Sequence, residues 1–186
     1  MSYVFPNPKL KHTQLEKKPL VLVACGSFSP ITFMHLRLFE MAKDKLEEEF
    51  DVIAGYISPV HDTYNKKGLI NSIHRLEMCR RAVETSEWLV VDDWEIKESV
   101  EWQRTAVVLK HFSDKLNLFN CKIMLLAGAD LVYSFITPNL WLFEDIQYIL
   151  QQLGIVVIER KGTDLWEAIL EHDDLFDNKV VDTYLE

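Results

Sequence analysis

The chain has 186 residues, 48% of them hydrophobic and 26% charged, with a formal net charge of −9 at pH 7. That length suffices for one domain with a buried core. The acidic balance argues against nucleic-acid binding, which needs a basic face, but leaves room for a small anion held by local positive charge. The three cysteines, Cys25, Cys79 and Cys121, are odd in number and widely spaced, so they fit neither a disulfide framework nor a zinc site. Each is expected to pack as a small core residue in a reducing compartment. No apolar run approaches transmembrane length. Met1–Pro19, with Pro6, Pro8 and four lysines, lacks the apolar core of a signal peptide. The expected location is cytoplasmic and/or nuclear, not secreted, with no membrane partner.

Residues 1–18 read as a flexible N-terminal arm and residues 19–186 as a single domain. Leu20–Cys25 is a continuous apolar run, the pattern of a strand buried on both faces. Met34 to about Glu49 predicts a helix, with Leu38, Met41, Ala42 and Leu46 at three- and four-residue spacings. Val52–Ile57 predicts a second strand. Ser72 is placed to cap a helix running to about Ser86, with Ile73, Leu76, Ala82 and Val83 inward. Trp88–Val91 predicts a third strand, Glu101–Leu116 a helix, Lys122–Ala127 a fourth strand, and Glu144–Leu153 a helix ended by Gly154. Ile155–Ile158 predicts a fifth strand, Thr163 begins one more helix, and Lys179–Asp182 predicts a sixth strand. Such alternation implies an α/β fold with a doubly wound parallel sheet and right-handed crossovers. Ligands bind such sheets beyond the C-terminal ends of the strands, where the strand order reverses. The segments Gly26–His35, Ser58–Gly68, Asp92–Thr105, Gly128–Trp141 and Glu159–Gly162 all leave that edge.

The most informative of these is the first. An apolar strand runs through Gly26-Ser27-Phe28 into Pro30, Thr32 and His35. Thr32 and His35, three apart at a helix start, share one face, where free backbone N–H groups and the helix dipole attract a phosphate. The stretch resembles the T/H-x-x-H signature of the nucleotidylyltransferase superfamily. The longer string Gly-Ser-Phe-Ser-Pro-Ile-Thr-x-Met-His-Leu-Arg-x-Phe-Glu, residues 26–40, is similar to that of the eukaryotic nicotinamide/nicotinic acid mononucleotide adenylyltransferases. The resemblance implies a Rossmann-like nucleotidylyltransferase fold and covers about Leu20 to Asp182. It also implies that Gly26, Ser27 and Phe28 present backbone groups to the nicotinamide ribose and carboxamide, and that His35 contacts the α-phosphate.

Further strings carry the same resemblance. In Tyr64-Asn65-Lys66-Lys67-Gly68-Leu69, the plain reading is a solvated loop; the functional one is a mobile cationic loop over phosphates, with Lys67 ahead of Lys66, since a Lys ammonium acts as a compact point charge. Trp102 and Trp141 offer aromatic faces for a flat pyridinium ring, worth roughly 0.5–2 kcal/mol each. The resemblance places both in the nicotinamide pocket with Thr105 and Leu140; Trp94 is left to packing or to support of the pocket from behind. It makes Gly128 and Asp130 nucleotide contacts, and Arg160 a contact near the adenylate.

The activity implied is transfer of AMP from ATP, as co-substrate, to nicotinamide mononucleotide or nicotinic acid mononucleotide, with His35 and Lys67 as the catalytic groups. No protein ligand to a metal is assigned; Mg²⁺ is expected to ride on the ATP phosphates. The implied partners are small-molecule nucleotides; a homo-oligomer is left open. The family's second phosphate motif, Ser-Ser-x-x-(Arg/Lys), is expected after Asp182, while the sequence ends at Glu186. The domain is therefore expected to be C-terminally incomplete relative to the family and slow in turnover, since such contacts are worth about 2–4 kcal/mol each. The rival expectation is a truncated or divergent non-catalytic protein that binds the mononucleotide or a partner. A sibling transferase for another mononucleotide or for a lipid or sugar precursor is disfavoured by Trp102, Thr105 and Trp141, for which such precursors offer no pyridinium ring to stack.

Overall fold

The computed structural model describes residues 3–7 and 16–159 and the backbone of 181–183. The apolar runs form six strands: β1 Lys18–Gly26, β2 Phe50–Pro59, β3 Leu89–Val91, β4 Lys122–Gly128, β5 Ile155–Ile158 and β6 Val181–Thr183. All pair in parallel, in the order β3-β2-β1-β4-β5-β6. This is the doubly wound parallel sheet expected from the sequence. The order reverses between β1 and β4, so a crevice opens beyond Gly26 and Gly128, where those strands end.

The two-residue period of a strand divides the core into two layers. Val21 and Val23 of β1 join Ile123, Leu125, Ala127, Ile155 and Val157 on one face. Leu20 and Leu22 join Met124, Leu126, Val156 and Ile158 on the other. Leu20 through Val23 are all fully buried, which is why that run is apolar without alternation. Helices α1 (Phe33–Leu46) and α2 (Ser72–Ala82) contribute Phe39, Ala42, Leu46 and Cys79 to the second layer. The first layer takes α4 (Thr105–Leu116) and α5 (Ala129–Phe135), through Leu109, Phe112, Val132 and Phe135. Burying a Leu or Phe in this way contributes about 1.5–3 kcal/mol. A short α3 (Trp94–Glu98) precedes α4, and α6 (Phe143–Gln147) runs into a wider π-type turn, Tyr148–Leu153, that ends at Gly154 with φ +123°.

Several elements differ from their sequence reading. Residues 101–104 are not helical; Trp102 N–H donates to Thr63 Oγ1 at 2.8 Å and Gln103 N–H to Glu95 Oε1 at 3.1 Å, so their backbone is held extended by other loops. The cap of α2 is Asn71, whose side chain accepts from Ile73 N–H; Ser72 is buried instead and donates to Asp62. Ile73 faces solvent, not the core. Within the Gly128–Trp141 segment, α5 forms. The helix expected from Thr163 lies outside the described residues. In the expected loose arm, residues 3–7 pack on the sheet: the Phe5 ring lies 5.4 Å from that of Tyr56, and Tyr56 hydroxyl donates to Pro6 carbonyl at 2.9 Å.

Candidate functional site

Gly26 ends β1, and its carbonyl accepts from Val60 N–H at 3.0 Å, joining the turn after β1 to the loop after β2. Phe28 has φ +42° and a buried ring that meets His35 edge-on at 5.2 Å. Thr32, extended at φ −130°, precedes α1. Its N–H donates to His35 Nδ1 at 2.9 Å, and its Oγ1 lies 2.7 Å from the same nitrogen. An Nδ1 that accepts a backbone N–H carries no hydrogen, so in the neutral ring the proton sits on Nε2. Thr32 and His35 thus share one face as expected, and Thr32 sets the imidazole's tautomer.

Arg75 of α2 is completely buried. Its guanidinium donates to the carbonyls of Ser27 (3.0 Å), Val60 (2.7 Å) and Ile70 (2.6 Å) and to Asp62 Oδ1 (3.0 Å). One planar fork therefore ties the turn after β1 to both ends of the loop after β2. Burial alone would push the Asp62 carboxyl up, but the bonds from Ser72 and Arg75 outweigh it and hold the group below the usual carboxylate range. Between these anchors, Lys66 Nζ donates to Ser27 Oγ at 2.8 Å. Gly68 turns the loop with φ +76°; a Cβ there would meet nothing, so backbone conformation alone explains the glycine.

A second lacing joins the loops after β2 and β3. Glu95 is buried, and its Oε1 accepts His61 N–H at 2.9 Å as well as Gln103 N–H. Burial raises its pKa, against those two N–H bonds. This lacing brings the Tyr64 and Trp102 rings to 5.9 Å. Across the crevice, Trp141 Nε1 donates to Ser134 Oγ at 2.9 Å and its ring packs edge-on against Phe135 at 4.7 Å. Asn139, at φ +61°, turns the chain just before it.

One cavity of about 640 Å³ collects these parts, a size suited to a small ligand. Of the residues singled out in the sequence, Gly26, Ser27, Lys66, Trp102, Thr105, Asp130, Leu140 and Trp141 line it. Phe28, Thr32, His35, Lys67 and Gly128 are not among its lining residues; Lys67 is exposed on the loop, and Gly128 sits behind Asp130, where a Cβ would lie 2.7 Å from Asp130 Oδ1. Arg160 lies outside the described residues. Trp94 stacks on His111 at 4.1 Å, a packing role. Cys25 also lines the cavity; burial first, then the charges of Glu95 and Asp92, push its thiol above the usual range.

The sequence reading missed four residues that shape the site: Arg75 and Glu95, which lace the loops, and Arg104 and Asp145, whose ion pair at 2.7 Å is in the cavity wall. A signal existed for the last two. They carry opposite charges and follow Trp102 by two residues and Trp141 by four. Among the described residues no cluster of His, Cys, Asp and Glu could hold a metal ion, and no helix is long and apolar enough to cross a membrane.

A doubly wound parallel sheet with a Thr–His helix start at its switch point defines a class, and the sequence comparisons agree with it. Residues 23–182 match the family described as cytidylyltransferase-like. The chain is 45% identical over 194 residues to nicotinamide/nicotinic acid mononucleotide adenylyltransferase 1 of Saccharomyces cerevisiae, covering 95% of this chain and 48% of that protein. It is 44% identical over 178 residues to the nicotinamide/nicotinic acid mononucleotide adenylyltransferase of Arabidopsis thaliana, covering 90% of this chain and 74% of that protein. The chain thus spans about half the length of its yeast relatives. A solved structure, Plasmodium falciparum nicotinic acid mononucleotide adenylyltransferase complexed with NaAD, shares the fold at a TM-score of 0.63 and 18% identity, covering 90% of this chain and 75% of that one. The chain belongs to the cytidylyltransferase-like family, in the branch of the nicotinamide/nicotinic acid mononucleotide adenylyltransferases.

Proposed function

We propose that the chain transfers AMP from ATP to nicotinamide mononucleotide or nicotinic acid mononucleotide, forming the dinucleotide and pyrophosphate. The observation that carries this reading is the composition of one cavity: a lysine fastened to the Ser27 turn lines it together with two tryptophans. A mononucleotide has that composition, an anionic phosphate and a flat cationic ring. In this reading Trp102 and Trp141 bind the ring, Thr105 and Leu140 border it, and Asp130 accepts from ribose hydroxyls. The backbone of Gly26, Ser27 and Phe28 meets the ring-bearing half, and Gly128 leaves room for the Asp130 carboxylate.

The phosphate of the mononucleotide is already an anion, so its attack on the α-phosphorus of ATP needs no general base. A P–O bond forms to the attacking oxygen, the bond to the bridging oxygen breaks in line, and pyrophosphate leaves. The protein's part is positioning and charge neutralisation. His35 Nε2–H, held by Thr32, would donate to the α-phosphate, with Lys66 and Lys67 as the neighbouring cations and Arg160 toward the adenylate end. The described groups at this end are cations, N–H donors and hydroxyls, and among the described residues no carboxylate cluster could hold Mg²⁺; the ion would come on the triphosphate. We also take the location to be cytoplasmic and/or nuclear, since the three cysteines are free. No nucleic acid or membrane is a partner in this reading, and residues 19–186 act as one domain.

The test is saturable quenching of tryptophan fluorescence by each mononucleotide, followed by dinucleotide formation on adding ATP and Mg²⁺, read with a coupled dehydrogenase for the amide form. Failure of both mononucleotides to bind the folded chain would sink the reading.

A further inference from the structure

Trp102 and Trp141 both line the cavity, but they are held by different means. The Trp141 indole is fixed by its own atoms, through the bond to Ser134 Oγ and the edge contact with Phe135. Trp102 is 42% exposed, and its ring meets that of Tyr64, itself exposed, at 5.9 Å. It is fastened through its backbone: Trp102 N–H donates to Thr63 Oγ1 at 2.8 Å, and the next N–H, of Gln103, to Glu95 Oε1 at 3.1 Å. A side chain starts from the backbone that carries it, so the partner of that N–H bears on where the indole face lies.

Thr63 is in turn set by His61. Thr63 N–H donates to His61 Nδ1 at 3.2 Å, and Thr63 Oγ1 lies 2.9 Å from the same nitrogen. An Nδ1 that accepts a backbone N–H carries no hydrogen, so the hydroxyl gives its proton to that nitrogen and turns its lone pairs toward Trp102 N–H. A hydroxyl that donates on one side is polarised to accept on the other. His61 N–H donates to Glu95 Oε1 at 2.9 Å, which closes a ring of bonds through Glu95, His61, Thr63, Trp102 and Gln103. We propose that Thr63, oriented by His61, is a positioning residue for the mononucleotide: its hydroxyl fixes the backbone of Trp102 and so the indole face on which the ring stacks. The proposal rests on the mononucleotide reading and deepens it, assigning the placement of one aromatic face to two residues that do not line the cavity.

The experiment measures the dissociation constant of nicotinamide mononucleotide for the full chain by calorimetry. Thr63→Val keeps the shape, removes the hydroxyl and should weaken binding about fivefold, the scale of one hydrogen bond. Thr63→Ser keeps the hydroxyl and should bind within about twofold of the parent. His61→Leu removes the acceptor and should weaken binding about threefold. His61→Asn should bind like the parent, because an Asn side-chain oxygen accepts from the N–H two residues on. A double-mutant cycle separates positioning from general loosening: in a Trp102→Ala background, Thr63→Val should cost nothing further. Circular dichroism checks folding; if Thr63→Val did not fold, the two His61 variants carry the same comparison. The assignment is overturned if Thr63→Val binds within twofold of the parent, if Thr63→Ser is as weak as Thr63→Val, or if the cost persists undiminished without Trp102. Each of those results leaves the mononucleotide reading intact. If the parent chain binds neither mononucleotide, that reading falls and the assignment with it.

Discussion

The buried guanidinium of Arg75 donates to the carbonyl of Ser27 at 3.0 Å, across 48 residues of sequence. Through it a helix that contributes no lining residue to the cavity sets the turn that does. Removing the fork would strand three carbonyls and loosen Asp62, at about 1–3 kcal/mol for each buried unsatisfied group. Arg75→Met is expected to lower the free energy of unfolding by at least about 3 kcal/mol in urea with an unchanged m value. A loss below 1 kcal/mol would show that the fork is not what joins these loops.

The same loop separates two neighbouring lysines. Both are exposed, but Lys66 bonds Ser27 and lines the cavity, whereas Lys67 does not line it. Lys66→Ala should raise the KM for either mononucleotide, or lower kcat, by about tenfold more than Lys67→Ala does. The reverse order would mean that the loop rearranges when substrate binds.

His35 is expected to act in the transition state, because its Nε2–H is pre-set by Thr32 and directed by the first turn of α1. His35→Ala should lower kcat by about 10²-fold with little change in KM. An effect confined to KM would assign His35 to ground-state binding.

The tryptophans can be tested separately from catalysis. Replacing Trp102 or Trp141 with Ala should weaken mononucleotide binding by roughly 0.5–2 kcal/mol each. Trp141 should cost more stability than Trp102, because its indole N–H and its edge contact with Phe135 are both internal. A double variant that binds as tightly as the parent would rule out stacking.

The cluster of Tyr3, Asp92 and His111 predicts a pH response. Tyr3 hydroxyl donates to Asp92 Oδ1 at 2.8 Å and lies 2.9 Å from His111 Nε2. Burial lifts the Asp92 pKa from 3.8 to about 6, and burial lowers that of His111 from 6.5 to about 4. Between about pH 4 and 6 the folded state holds the extra proton on Asp92, so that contribution falls as pH rises. In nearly the same window the unfolded state holds the extra proton on His111, so its contribution rises with pH. The two oppose, each worth about 3 kcal/mol at most, and the parent should show little net slope from this pair. Asp92→Asn should uncover a loss of stability on acidification from pH 7 to 4. His111→Gln should uncover a gain over the same range. Parallel slopes in the two variants would contradict the assignment.

What could be read from the chain itself was local and periodic. Continuous apolar runs such as Leu20–Cys25 announced strands buried on both faces, their alternation with helices implied the doubly wound sheet, and the short spacing of Thr32 and His35 marked the start of the first helix with both residues on one face. These features depend on neighbours within a few residues, so a linear reading captures them. The tertiary structure decided what depends on distant partners. Glu95, apolar by none of its chemistry, is buried because it caps two backbone N–H groups from separate loops, and that converts an expected helix start at Glu101 into an extended lacing. Lys66 rather than Lys67 lines the cavity because Arg75 and Ser27 fix the loop between them. Arg104 and Asp145 meet only because α4 and α6 pack on the same face of the sheet. A buried charge is stable only with partners already in place, and those partners lie dozens of residues away, so folding alone assembles them.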